Sequence, residues 1–167
     1  MRKPRVTKNG ATYHITVRAN RKEIIMYDKK TFNLFVKTIE RAKQKYSFDV
    51  FNFCLMGNHV HIIIRPGVKE SISRIMQWIL SVFARAWNKI HNLSGHVWGE
   101  RFYSKMIDNF REFTHTFEYL FQNPVRAKLS KYPEKWKYSG IYHFLFGKKA
   151  ILGDLPPFIR EIYNNLL

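Results

Sequence analysis

The stretch Cys54-Leu-Met-Gly-Asn-His-Val-His-Ile-Ile-Ile-Arg65 predicts a β-hairpin that carries two histidines. Two runs of strand-forming residues, 48–55 and 59–65, flank a turn-forming Met-Gly-Asn. Because side chains alternate across a strand, His59 and His61 project from the same face. The two imidazoles are therefore close enough to hold one metal ion.

His-x-His alone is weak evidence for a metal site. With seven histidines in 167 residues, the spacing arises by chance in roughly a quarter of such chains. The alternative is a pair of half-buried histidines with hydrogen-bonded rings. The rest of the strand is Val and Ile, where unpaired imidazoles would cost desolvation energy, and this favours a metal. Cys54 is not expected to complete the site, because it lies on the other strand face or nearby at best. We interpret it as a small buried hydrophobe.

The rest of the chain predicts helices that alternate with strands. We expect a first strand over 11–19, a helix capped by Asp28, a long helix over about 71–90, a loop leading into another strand within 95–107, and a short helix from Pro157. This order favours an α+β sandwich, a sheet that carries helices. Without repeats or linkers, residues 1–167 are read as a single domain, in which segment 143–167 has no assigned role.

A further helix, over about 109–123, carries the candidate nucleophile. Asn109 and Glu112 resemble a capping box, and Pro124 is predicted to stop the helix after about Gln122. Tyr119 lies opposite the predicted apolar stripe, beside Asn123 one turn later. Because a residue before proline is biased away from helical geometry, Gln122 is the alternative to Asn123 as a ligand. The apolar stripe comprises Phe110, Phe113, Phe117, Leu120 and Phe121.

These residues suit attack of tyrosine on a phosphodiester. A divalent ion held by His59, His61 and Asn123 would leave positions for a phosphate oxygen and offset the charge of the transition state. Tyr119 would then form a phosphotyrosine bond to one strand and leave a free hydroxyl on the other. Two imidazoles and an amide are unusual ligands for Mg²⁺, so Mn²⁺ should bind at least as well.

The charge of the chain predicts a polyanionic partner. Lys and Arg total 29 against 12 acidic residues, a net charge of +17, and the basic residues are spread along the chain. Such a distribution favours a basic, nucleic-acid-binding surface over a basic arm. The candidate DNA contacts are Arg5, Arg18, Arg21, Arg65, Arg101, Lys105 and Arg126.

The sequence also predicts the compartment. The single cysteine excludes an internal disulfide and fits a reducing cytoplasm. We expect no signal peptide, because Met1-Arg-Lys-Pro-Arg5 is followed by polar residues, and no apolar run approaches the ~20 residues that span a bilayer. We therefore expect a cytoplasmic protein with no membrane partner and no small-molecule cofactor.

Five segments together resemble the HUH single-tyrosine transposases, in particular the REP-associated tyrosine transposases of bacteria. They lie between residues 13 and 139, in the order and spacing that the family shows. They are Tyr13-His14-Ile-Thr-Val-Arg18, Cys54-Leu-Met-Gly-Asn-His-Val-His61, Gly95-His-Val-Trp-Gly-Glu-Arg-Phe102, Tyr119-Leu-Phe-Gln-Asn-Pro-Val-Arg-Ala127 and Trp136-Lys-Tyr-Ser139.

The resemblance implies a ferredoxin-like antiparallel sheet flanked by helices, and Mg²⁺- or Mn²⁺-dependent cutting and rejoining of single-stranded DNA at hairpins. By that analogy His59 and His61 form the histidine pair, and Tyr119 forms a 5′-phosphotyrosine. Asn123 is then the third ligand, where related transposases carry glutamine. A nucleoid-associated bacterial protein is implied. The resemblance leaves open a monomer or a helix-exchanged homodimer.

Three other functions fit parts of these data. A domesticated, non-catalytic hairpin DNA-binding protein would keep the basic surface but need no metal. Replication initiators and relaxases share the chemistry, but they are usually larger. An RNA-binding module on the same sheet would expose aromatic residues on its central strands, whereas this chain carries histidines there.

Overall fold

The computed structural model describes residues 7–148 and 150–163, so that Arg5, a predicted DNA contact, lies outside the described residues. Four antiparallel strands form one sheet in the order β2-β3-β1-β4. The strands are β1 (Thr12–Arg18), β2 (Phe48–Leu55), β3 (His59–Pro66) and β4 (Tyr103–Ile107). The predicted hairpin is confirmed as β2 and β3.

Two long helices link the strands in the ferredoxin-like manner. Helix α1 (Lys29–Lys45) joins β1 to β2, and α2 (Ile72–His91) joins β3 to β4. The predicted cap of α1 is confirmed, since the Asp28 carboxylate accepts a 2.7 Å hydrogen bond from the Thr31 amide. Among the described residues, three α-helices follow β4: α3 (Phe110–Arg126), α4 (Gly140–Leu145) and α5 (Pro157–Ile162). The α+β, ferredoxin-like fold is thus confirmed.

The two faces of the sheet have different coverings. Strand β1 alternates, so its side chains at 13, 15 and 17 are buried in the core under α1 and α2. His14 and Thr16 point to the other face, which α3 covers in part. The apolar residues of this second face, including Ile63 and Ile107, pack with α3, α4 and α5. The polar side chains of the same face are not part of this apolar packing and lie beside α3.

Helix α3 differs from its prediction at both ends. Asn109 accepts a hydrogen bond from the Glu112 amide as expected, but Glu112 reaches back to the amide of Asp108. The prediction that Pro124 stops the helix was wrong, because α3 continues to Arg126. Pro124 lies in the last turn, where its missing N–H removes only one helical hydrogen bond.

The predicted apolar stripe of α3 is only partly buried. Phe113, Phe117 and Leu120 are buried, whereas Phe110 is 61% exposed. The C-terminal segment supplies much of the covering. Phe158 packs edge-on against Phe113 at 5.5 Å between ring centroids. Tyr163 contacts Phe117 at 5.3 Å. Segment 151–163 therefore packs against the apolar residues of α3 that also contact the sheet.

None of the described helices is long and apolar enough to cross a membrane.

Candidate active site

The two histidines of β3 lie together on the face covered in part by α3. Their ring centroids are 5.0 Å apart and the rings are nearly perpendicular, at 88°. His61 is buried and His59 is half-buried. As expected, His59 and His61 therefore point to the same face of the sheet.

His61 is held by two residues of the neighbouring strand. Its Nδ1 lies 3.1 Å from the Nε2 of His14 and 3.1 Å from the Oγ1 of Thr16. Thr16 is directly opposite His61 in the β1–β3 register. The Nε2 of His61 is buried and has no hydrogen-bond partner among the described residues. The ring therefore uses one nitrogen for support and leaves the other free for a ligand.

His59 is oriented by the turn before it. Its Nδ1 lies 2.6 Å from the Oδ1 of Asn58, whose Nδ2 donates to the carbonyl of Lys22 at 3.0 Å. Because that Oδ1 only accepts, Nδ1 of His59 carries the proton. The lone pair then lies on Nε2, the nitrogen that could bind a metal.

All three histidines at this position favour the neutral form. Desolvation, with the nearby His14, His59 and Arg18 charges, lowers the pKa of His61 to about 3. Desolvation and Lys105 lower the pKa of His14 to about 4. Desolvation and Arg18 also lower the pKa of His59. Neutral imidazoles at neutral pH are a requirement for metal coordination.

Helix α3 places Tyr119 against the histidines. Its ring centroid is 5.4 Å from that of His61, with the rings at 87°, and 6.1 Å from that of His14. The guanidinium of Arg126 lies 5.8 Å from the centroid of the same ring. The candidate nucleophile is therefore in ring contact with both His61 and His14.

Asn123 fits a ligand role better than Gln122 does. Asn123 is 7% exposed, and its Nδ2 is buried with no hydrogen-bond partner in the described part of the chain. Rotation of the carboxamide would exchange this nitrogen with Oδ1, an oxygen suited to a divalent cation. Gln122 instead donates to Glu118 at 3.0 Å.

The donor set fits a divalent ion held by few protein ligands. Within residues 7–148 and 150–163, no three His, Cys, Asp or Glu side chains are grouped to hold a metal. Placing Cys54 on the other strand face was wrong, because it pairs directly with His61. Desolvation raises the pKa of its buried thiol, which makes a thiolate ligand unfavourable. Two imidazoles and an amide oxygen remain, an open set that leaves room for substrate oxygens.

The described candidate DNA contacts fall into two groups. Arg18, Arg21 and Arg101 are exposed and line one groove beside the histidines, and Arg126 lies over Tyr119. The other two, Arg65 and Lys105, form ion pairs with acidic residues. Arg65 forms a 2.8 Å ion pair with Asp49, and Lys105 pairs with Glu112.

His14 is the site residue that the sequence interpretation did not assign. A signal for it was present, because polar His14 and Thr16 alternate with apolar Tyr13, Ile15 and Val17. That alternation predicts the face, whereas contact with His61 depends on the register between strands.

Comparison with known proteins places these residues in a family. Residues 7–123 match the family described as "Transposase IS200 like". A Haemophilus influenzae (strain ATCC 51907 / DSM 11121 / KW20 / Rd) protein named "Putative REP-associated tyrosine transposase" is 19% identical over 146 residues, covering 81% of this chain and 82% of that protein.

Two solved structures share the fold. A REP-associated tyrosine transposase bound to a REP hairpin superposes with a TM-score of 0.76 at 21% identity, covering 95% of this chain and 94% of that one. A transposase from Deinococcus radiodurans R1, titled "putative", gives a TM-score of 0.51 at 12% identity over 74% of this chain and 97% of its own. The matched segment spans more than two thirds of the chain and contains His14, His59, His61, Tyr119 and Asn123. This protein therefore belongs to the IS200-like transposase family.

Proposed function

We propose that the protein is a divalent-metal-dependent endonuclease and transposase that cuts and rejoins single-stranded DNA at hairpin elements. The carrying observation is the packing of Tyr119 against His61, whose buried Nε2 has no partner among the described residues. A nucleophile, a free imidazole nitrogen and a basic surface thus meet at one place. Family membership supports the transposase assignment.

His59, His61 and Asn123 would hold the cation. When bound, Mg²⁺ or Mn²⁺ would polarise the scissile phosphate and offset its developing charge. The chain's own residues position these ligands. The Nδ1–H of His61 donates to His14 or Thr16, and the Nδ1–H of His59 donates to Asn58, so both Nε2 atoms carry lone pairs that can bind a cation.

Tyr119 is the proposed nucleophile. Its phenolic oxygen forms a bond to phosphorus while the bond from phosphorus to the 3′ oxygen breaks. The products are a 5′-phosphotyrosine and a strand that ends in a 3′-hydroxyl. The phenolic proton is released to solvent, and the 3′ oxygen takes up a proton. Attack of a 3′-hydroxyl on the phosphotyrosine reverses these steps and rejoins DNA.

Hairpin DNA is the proposed substrate. One structure with this fold is bound to a REP hairpin, and the net charge of +17 suits a polyanion. Such a protein would act at the nucleoid in the bacterial cytoplasm.

Cleavage of labelled single-stranded hairpins from the DNA flanking the gene tests this proposal. We expect cleavage with Mn²⁺ or Mg²⁺, none with EDTA, and loss of cleavage in His61→Ala with retained hairpin binding. Salt-sensitive binding by the wild type without cleavage under any metal condition would instead identify a non-catalytic hairpin DNA-binding protein.

A further inference from the structure

A guanidinium lies over the ring of the proposed nucleophile. The guanidinium carbon of Arg126 is 5.8 Å from the ring centroid of Tyr119. Arg126 follows Tyr119 by seven residues on α3 and follows Asn123 by three, so the three side chains share one face of the helix. A nucleophile, a candidate metal ligand and a cation therefore follow one another along this face of α3.

The backbone of Arg126 is held in a closed helix end. Helix α3 continues through Pro124, and Arg126 is its last residue. The amide of Ala127 donates to the carbonyl of Asn123 at 3.0 Å. The amide of Leu129 donates to the carbonyl of Pro124 at 2.8 Å. These bonds satisfy carbonyls of the last turn and fix the point at which the Arg126 side chain leaves the helix.

No described residue neutralises the charge of Arg126. Its side chain is exposed, and it forms no hydrogen bond or ion pair with another residue in the described part of the chain. A cation in the last turn interacts favourably with the helix dipole, but that interaction does not require contact with a ring. The position of Arg126 over Tyr119 is therefore suited to an anionic group that binds at the phenol.

The proposed reaction has a use for a cation on the side of the helix. A phosphate under attack by Tyr119 has two non-bridging oxygens, which carry its negative charge in the transition state. The histidines, with any cation that they hold, lie on the sheet, as does Arg18 opposite His59. Arg126 is instead on α3 beside the phenol, and the planar fork of an arginine pairs well with phosphate oxygens.

We propose that Arg126 is a catalytic residue that contacts the non-bridging phosphate oxygen not bound by the metal. It donates to this oxygen while the bond from the Tyr119 oxygen to phosphorus forms, and it holds the same oxygen in the phosphotyrosine intermediate. Arginine stays protonated, so Arg126 contributes a fixed charge and transfers no proton. This inference rests on the proposed function and adds a residue to its machinery.

Single-turnover cleavage separates this role from simple DNA binding. Labelled hairpin substrate is cleaved in Mg²⁺ by saturating protein, so that the rate reports the step on bound DNA. We expect Arg126→Ala to lower this rate about 10²- to 10³-fold. Hairpin affinity, measured by fluorescence anisotropy in EDTA, should change far less. Arg126→Lys keeps the charge but not the planar fork, and its rate should lie between those of wild type and Arg126→Ala.

Phosphorothioate substrates identify the oxygen that Arg126 contacts. Each non-bridging oxygen of the scissile phosphate is replaced by sulfur in a separate, purified diastereomer. Sulfur at the metal-bound oxygen should slow cleavage in Mg²⁺ but much less in Mn²⁺, which accepts sulfur better, whereas sulfur at the other oxygen should slow it with both metals. In Arg126→Ala the second effect should disappear, because the contact that sulfur weakens is already gone.

Two neighbouring cations supply matched controls. Lys128→Gly removes a charge two residues from Arg126 at a φ of 58°, which glycine adopts without strain. Lys131→Ala removes a cation that lies 5.5 Å from the ring centroid of Tyr132, a tyrosine that is 51% exposed. Both variants should cleave at the wild-type rate at saturating protein. Arg126→Ala itself should keep the wild-type melting temperature and the wild-type Mn²⁺ affinity, measured by calorimetry.

Equal saturating rates for wild type and Arg126→Ala would overturn the proposal, since Arg126 would then at most help to bind DNA. A lower rate with a lower melting temperature, or with both sulfur effects unchanged in size, would also overturn it, because Arg126 would then act through the fold or the ring. Absence of metal-dependent cleavage by the wild type would be a different result. It would overturn the proposed function, and this inference with it.

Discussion

The Nδ1 of His61 lies 3.1 Å from the Nε2 of His14, on the neighbouring strand. One of the two nitrogens must carry the proton that they share. If His61 presents its unpartnered Nε2 to a cation, its own Nδ1 is protonated and donates to His14. His14 then fixes both the tautomer and the rotation of a metal ligand without touching the metal.

Replacing His14 should therefore weaken metal binding. His14→Ala removes one of the two acceptors beside Nδ1 of His61, the other being the Oγ1 of Thr16, and we expect Mn²⁺ affinity, measured by calorimetry, to fall about 10- to 100-fold. His14→Gln offers an amide oxygen as an acceptor and should restore part of that affinity. As a matched control, His96→Ala removes an exposed histidine outside this site and should leave Mn²⁺ affinity unchanged. Equal affinities for wild type and His14→Ala would contradict a positioning role.

Substitutions of Asn123 and Gln122 should have different effects on Mn²⁺ affinity, measured by calorimetry. Asn123 has a buried, unpartnered amide nitrogen, whereas Gln122 donates to Glu118. We expect Asn123→Ala to lower Mn²⁺ affinity and Gln122→Ala to leave it near the wild-type value. The melting temperature of each variant is measured as well, because both residues lie on α3 and a substitution there can also lower the stability of the fold. A loss of Mn²⁺ affinity in Gln122→Ala but not in Asn123→Ala would assign the third ligand to Gln122.

The metal-free protein should lose stability in mild acid. The pKa of His14 is about 4 and that of His61 about 3 in the fold, against 6.5 when unfolded. Below about pH 6.5 the unfolded chain therefore binds more protons, and the free energy of unfolding falls as the pH falls toward 4. Each histidine contributes at most about 1.4 kcal/mol per pH unit in this window.

Urea unfolding in EDTA between about pH 7 and about pH 5 measures this dependence. His14→Gln removes one titrating group, so its stability should fall less steeply with acid than that of the wild type. The prediction fails if both proteins show the same slope, or if stability rises as the pH falls.

The C-terminal segment should stabilise the helix that carries Tyr119. The hydroxyl of Tyr163 donates to Glu118, and its ring packs on Phe117 and Phe121. Burial and the Glu118 carboxylate raise the pKa of Tyr163, so the phenol remains a donor at neutral pH. We expect Tyr163→Ala to cost about 3 kcal/mol of unfolding free energy and Tyr163→Phe about 1 kcal/mol.

The neighbouring residue supplies the control for this measurement. Ile162 is 52% exposed, and Ile162→Ala should change the free energy of unfolding by less than about 0.5 kcal/mol. Similar losses for Ile162→Ala and Tyr163→Ala would mean that α5 does not pack on α3 as described.

Local patterns in the sequence predicted much of this site. The hairpin around Gly57, the same-face pair His59 and His61, and a capped helix carrying Tyr119 each follow from a periodicity of two or 3.6 residues or from a local turn. The approach of that helix to the histidines was expected by resemblance and is present in the fold.

Features that depend on contacts between distant segments were missed. The contact of His14 with His61 and the shared face of Cys54 and His61 both depend on strand register, which periodicity does not specify. Helix α3 continues through Pro124 because a proline in the last turn of a helix removes only one hydrogen bond. The short helix predicted from Pro157 is present as α5, but its six residues are too few to show a periodic stripe, so its packing against α3 was not predicted.

Covalent capture of DNA by Tyr119 tests the central claim most directly. End-labelled single-stranded hairpin DNA is incubated with wild type and Tyr119→Phe, each with Mn²⁺, Mg²⁺ or EDTA, and resolved on denaturing gels. Tyr132→Phe serves as the matched control. We predict a labelled protein–DNA adduct that requires metal, persists in Tyr132→Phe and is absent in Tyr119→Phe. An adduct that survives Tyr119→Phe, or metal-dependent cleavage without any adduct, would contradict the account.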